Sequence, residues 1–112
     1  MAITAQDFSL WAGNTKTLTF TVSDVASLAC ATAKWGLSLH TAISPALVSK
    51  SSTDATQITI DSTAASFAVV VNSTDTDSLS KTQYYHEAEV TDAAGNVATV
   101  AIGDVTVHPT IL

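Results

Sequence analysis

Apolar and polar side chains alternate along most of this chain, and a strict period of two is compatible with few structures besides a sheet. The clearest run is Lys16-Thr17-Leu18-Thr19-Phe20-Thr21-Val22-Ser23. It places Leu18, Phe20 and Val22 on one side of a strand and the three threonines on the other. A one-residue slip would turn all three apolar side chains to water, so the register is strongly specified. The same pattern recurs over Thr32 to Thr41, with Trp35, Leu37 and Leu39 sharing a face. It recurs again at Thr56 to Asp61 (Ile58, Ile60), Ser66 to Asn72 (Phe67, Val69, Val71), Gln83 to Thr91 (Tyr84, His86, Ala88, Val90) and Val97 to Val107. Asp7 to Trp11 forms a shorter first strand. Gly103 interrupts the last run, and an interior glycine of this kind marks a bulge or a close backbone approach.

Turn residues divide these runs. Ala12-Gly13-Asn14-Thr15 follows the first strand, and Asp92-Ala93-Ala94-Gly95-Asn96 reads as a hairpin turn with Gly95 at positive φ. Ser49 to Asp54 reads as a polar loop. Thr74 to Leu79 combines capping residues with acids and suits a single helical turn. About seven short strands in 112 residues fit one all-β domain spanning 1–112, an antiparallel two-sheet sandwich of the Ig-like kind. A closed barrel is the alternative.

Composition narrows the function classes. Charged residues are only 12% of the chain, hydrophobic residues 46%, and the formal net charge is −6. The four lysines, Lys16, Lys34, Lys50 and Lys81, are scattered, with no arginine, which argues against nucleic-acid binding and against an anionic membrane surface. No apolar run reaches the roughly 20 residues of a membrane-spanning helix. The N-terminus lacks the basic and apolar regions of a signal peptide. Cys30 is the sole cysteine, which excludes an intrachain disulfide and is read as a buried apolar side chain. A surface rich in Thr, Ser and Ala suits one covered by neighbours.

No catalytic constellation emerges. His40, His86 and His108 are far apart in sequence, and His86 and Glu87 point to opposite faces of one strand. Asp75 and Asp77 lack the closing ligand of a calcium loop, since position 12 from Asp75 is His86. There is no nucleophile elbow and no phosphate-binding glycine loop. The expectation is a non-enzyme with no cofactor and no metal. The candidates for partner contact are the apolar residues outside the alternating pattern, Trp11, Ile43, Pro45, Leu47, Val48, Ile111 and Leu112, together with Tyr85 on the face of its strand opposite Tyr84. The segment Ala42 to Val48 reads as an apolar loop or edge strand, and the C-terminal Pro-Thr-Ile-Leu as an arm able to join a neighbouring sheet.

Several short motifs carry a family resemblance. They are Asp7-Phe8, Gly13-Asn14-Thr15 leading into Lys16 to Val22, Asp75 to Leu79, and Tyr84-Tyr85. Val90-Thr91-Asp92, Gly95 to Thr99 and Gly103-Asp104-Val105-Thr106-Val107 follow in that order. Together they resemble the Ig-like β-sandwich domain at the N-terminus of phage baseplate upper proteins and related small virion proteins. Lys81, near a position where that family has a turn glycine, and the long apolar stretch Ala42 to Thr53 depart from the pattern. The resemblance implies a structural part of a virion, as a capsid decoration, connector, tail or baseplate-associated protein. Its partners would be other virion proteins, in a homo-oligomer or a repeating lattice. The alternative is a module that binds a carbohydrate or host surface, for which Trp11 and Tyr85 are the aromatic candidates. Tyr84 stands where a tyrosine corner sits in Ig-like sandwiches, or is an ordinary half-buried strand tyrosine.

Overall fold

A computed structural model describes residues 4–5, 7–22, 28, 31–39, 46–77, 79 and 83–108. Nine strands and one helical turn are present among them. The strands are β1 (Thr4–Ala5), β2 (Phe8–Trp11), β3 (Lys16–Thr21), β4 (Thr32–Ser38), β5 (Val48–Ser51), β6 (Ile58–Asp61), β7 (Ser66–Val71), β8 (Gln83–Thr91) and β9 (Val97–His108). The helical turn α1 covers Ser73–Thr76. The count exceeds the expected seven for two reasons. A two-residue strand, β1, precedes the expected first strand, which is β2, and both pair in parallel with β9. The segment Val48–Ser51, read from sequence as the border of an apolar stretch and a polar loop, pairs with β4 as an edge strand.

The strands form two sheets. The larger runs β1-β9-β8-β4-β5, with β2 also on β9; the smaller runs β3-β7-β6. All pairings other than those of β1 and β2 are antiparallel. Alternation explains the layering. Leu18 and Phe20 from β3, Ile58 from β6 and Phe67, Val69 and Val71 from β7 are buried from one sheet. Trp35, Leu37, Tyr84, Ala88, Val90, Val105 and Val107 are buried from the other. Burying a large aliphatic or aromatic side chain contributes on the order of 1.5–3 kcal/mol, so these residues hold the layers together. This is an all-β, two-sheet architecture.

The irregularity in the last hairpin is not at Gly103. That residue pairs in register with His86, and the ladder shifts instead between Ala88 and Glu89, where partners step from Ala101 to Thr99. Val100 is the extra residue. The consequence is that consecutive residues Val100 and Ala101 are both buried, which strict alternation forbids.

The turns follow their chemistry. Gly13 and Gly95 take φ of 84° and 89°, a region closed to most side chains. The Asp92 carboxylate gathers the turn by accepting from the backbone N–H of Ala94 and Asn96. Asn72 caps α1, and Asp75 reaches back to the Asn72 N–H at 2.8 Å, which completes a capping box. Thr76, buried in α1, accepts from the Gly13 N–H at 2.8 Å and lies 3.1 Å from the Asn14 carbonyl, to which it can donate. The helical turn is thereby fastened to the β2–β3 turn.

Candidate functional site

Alternation also decides what the outside of the larger sheet presents. Trp11 of β2 lies opposite His108 of β9. Tyr85 of β8 lies between Ser38 of β4 and Asp104 of β9. Glu87 lies between Gly36 and Ile102, and Glu89 between Lys34 and Thr99. Leu47 hydrogen-bonds through its N–H to the Leu37 carbonyl at 2.7 Å, which sets it beside this face at the β5 end. The outer face therefore carries an acidic centre of Glu87, Glu89 and Asp104, with large apolar side chains toward its margins. Trp11, Leu47 and Val97 are 53%, 52% and 61% exposed.

Trp11 is held rather than loose. Its ring lies 4.8 Å from that of His108, tilted by 32°. Tyr85 hydroxyl and the Glu87 carboxylate are 3.2 Å apart. Burial raises the Tyr85 phenol above its usual range, with Glu87 and Asp104 adding to the effect because each disfavours a phenolate beside it. A shallow groove of about 490 Å³ crosses the same face, lined by Lys34, Gly36, Ser49, Ser51, Glu87 and Glu89 among others. It offers carboxylates, the two lysines Lys34 and Lys50 and hydroxyls, and its lining contains no imidazole.

The three histidines take no common site. His86 is fully buried, and its Nδ1 accepts from the Trp35 indole N–H at 3.2 Å. Phe8, Phe20 and Trp35 surround it, with ring centroids 4.9, 6.0 and 6.2 Å away. His108 lies under Trp11, and His40 falls outside the described residues. Among the described residues, no three His, Cys, Asp or Glu side chains are grouped as a metal site would require. No helix of the described residues is long and apolar enough to cross a membrane.

Of the residues singled out in sequence for partner contact, Trp11, Leu47 and Tyr85 reach the outer face, but they do not form one patch. Trp11 is one strand beyond β9, near its end, whereas Tyr85 lies opposite Asp104. Val48 is corrected: it pairs with Leu37 and is buried in the core, because the strand parity that exposes Leu47 turns its neighbour inward. Ile43, Pro45, Ile111 and Leu112 lie outside the described residues, as do Cys30 and Lys81.

Sequence reasoning missed Lys50. Its side chain is buried between the sheets at the β5 edge and pairs with Asp75 of α1 at 2.6 Å. The signal was available in Val48-Ser49-Lys50, where the lysine takes the same parity as a buried valine. No protein-family model matches this chain, and a search of curated proteins likewise finds no match.

Proposed function

We propose that this chain is a non-enzymatic structural component of a bacteriophage virion, an Ig-like sandwich that acts through protein–protein contacts. The strand order is the observation that supports the Ig-like part of this reading, and the virion role rests on the sequence resemblance. In Ig terms β3 corresponds to strand B, β4 to C, β5 to C′, β6 to D, β7 to E, β8 to F and β9 to G. The sheets C′-C-F-G and B-E-D then follow the Ig partition, with the N-terminal strand segments laid along G.

Side chains at the sandwich centre support the same reading. Ig domains of antibodies place a buried Trp on strand C against a disulfide between B and F, with a Tyr two residues before the second cysteine. Here Trp35 is the buried residue on β4, and Tyr84 precedes His86 by two on β8. Phe20 and His86 face one another from β3 and β8 where the disulfide would run. In this chain, with its single cysteine, aromatic packing and the Trp35–His86 hydrogen bond take the place of the covalent link.

The outer face of the larger sheet is the contact surface in this proposal. Trp11 and Leu47 are its anchors, since exposed tryptophan and large aliphatic side chains dominate the energy of many interfaces. Many copies on a repeating particle would need only modest affinity each. The test is recapture of added protein by particles stripped of it, for the native chain and for Trp11→Ala and Leu47→Asp. Saturable recapture of the native chain, weakened in both variants, is the expected result. Absence of the chain from purified particles, or no recapture at all, would overturn the virion reading.

A further inference from the structure

The hydrogen-bond pattern of β3 sets which of its backbone groups turn away from the smaller sheet. Val22 donates its N–H to the Ala65 carbonyl at 2.8 Å, continuing the β3–β7 ladder past Thr21 and Ser66. In an antiparallel ladder, hydrogen-bonded and non-bonded pairs alternate. Phe20 with Phe67, Leu18 with Val69 and Lys16 with Val71 are therefore the bonded pairs. The Val70 N–H agrees, since it turns the other way to the Gln57 carbonyl at 2.8 Å. Thr17, Thr19 and Thr21 consequently direct both their N–H and C=O groups to the opposite edge of β3.

Among the described residues that edge has no partner strand, because β3 ends the order β3-β7-β6. All three threonines are exposed. The edge is also unguarded. It runs six residues without proline or register shift, and its one charge is Lys16 at the start. Edge strands are normally shortened, charged or bent to prevent pairing. The other outer strands are so treated: β5 and β6 have four residues each, β6 ends on Asp61, and the β1–β2 edge is broken between Ala5 and Phe8.

The sequence Thr17-Leu18-Thr19-Phe20-Thr21 has the same pattern in both directions. We infer that β3 pairs antiparallel with β3 of a second copy of this chain, about a two-fold axis at Thr19. Thr19 then faces Thr19 of the other copy, and Thr17 faces Thr21. Each of these pairs exchanges two backbone hydrogen bonds, because all the groups involved already point to that edge. The facing threonines share the outer face, where Thr–Thr pairs are favourable. Leu18 falls opposite Phe20 on the core side. Lys16 falls opposite Val22, so no like charges meet. The two small sheets become one continuous sheet, and the interface is isologous. This inference extends the assembly reading but stands on the strand edge alone, whatever particle the chain belongs to.

Backbone pairing along one short edge buries little surface, so the dimer is weak, with dissociation on the order of 0.1–1 mM. Sedimentation velocity on the full chain, from about 10 μM to about 1 mM, should show a monomer–dimer equilibrium in that range. Thr19→Pro removes an N–H that has no backbone partner among the described residues, and should remain monomeric throughout. Thr19→Lys sets two ammonium groups face to face and should do the same. Circular dichroism of both variants checks that the fold is kept. Register is tested in a Cys30→Ser background. Thr19→Cys should cross-link readily on oxidation, since bonded pairs hold Cα atoms about 5.5 Å apart. Thr17→Cys should not, because four residues of offset separate its two copies by about 13 Å. A native chain that stays monomeric at the highest concentration would overturn the inference. So would dimers of folded Thr19→Pro as strong as the native ones, or equal cross-linking at Thr17 and Thr19. None of these outcomes bears on recapture by particles, which the outer face of the larger sheet governs.

Discussion

Lys50 and Asp75 allow an asymmetric prediction. The lysine side chain is 5% exposed and the aspartate 22%, and they meet at 2.6 Å. Removing one partner of a buried pair typically costs about 3–5 kcal/mol, because a charge is left unpaired away from water. The two ends of this pair differ. Asp75→Asn keeps an oxygen for the Asn72 N–H and so retains the helix cap, but it leaves the buried ammonium without its carboxylate partner. That variant should lose about 3–4 kcal/mol. Lys50→Met leaves a carboxylate that still accepts from Asn72 and still touches solvent, and the methionine fills the vacated space; the loss should be about 1 kcal/mol. The double variant should recover to within about 1 kcal/mol of the native chain, since it leaves no unpaired charge. At about 4 °C per kcal/mol for a domain of this size, the melting temperatures should fall by about 12–16 °C, about 4 °C and less than about 4 °C. Thermal unfolding followed by circular dichroism, with urea titration for the free energies, measures all three. Equal losses in the two single variants, or additive losses in the double, would refute the reasoning.

Other expectations are as direct. Thr76→Val removes the hydroxyl that satisfies the Gly13 N–H, and should cost about 1–3 kcal/mol in urea unfolding. Ala65 holds a positive φ of 53°, so Ala65→Gly should stabilise by up to about 1 kcal/mol, read as a higher urea midpoint. Trp11→Ala gives up the ring contact with His108 and should cost about 0.5–1.5 kcal/mol in urea unfolding, small enough to leave the domain folded while recapture is measured. Asp92 has its carboxyl held below the usual range, chiefly by the Asn96 N–H. A lowered folded value means that its contribution is present above the unfolded carboxylate pKa, near 4, and is lost as pH falls through the folded value. Amide exchange at Ala94 and Asn96 should therefore quicken in acid beyond the intrinsic pH dependence, and Asp92→Ala should abolish that extra response.

The strands and their inward faces were legible because burial on one side imposes alternation, and alternation is local. Gln83 to Thr91 has the predicted bounds, and Ile58, Phe67, Val69, Trp35 and Tyr84 lie in the core as the pattern requires. The same holds for the Asp92 to Asn96 turn, and in part for the helical turn expected at Thr74 to Leu79, which forms at Ser73–Thr76, where short-range hydrogen bonds decide the conformation. The candidate face was only partly legible. Trp11 and Tyr85 were identified, but whether they adjoin depends on which strands pair, and no local signal encodes that.

What the sequence determined by itself was the all-β class, the parity of each strand and the chemistry of its turns. What only the tertiary structure decided was everything that depends on pairing between distant segments. The parallel seating of β2 on β9, the extra residue at Val100, the inward turn of Val48, and the meeting of Lys50 with Asp75 all belong to this group. So does the edge of β3, which has no partner strand among the described residues. The threonines of that strand were read from sequence as the outer face of a sheet. Among the described residues the fold leaves them at a sheet edge, because a strand's own residues set which way side chains point but not whether a neighbour lies beside it.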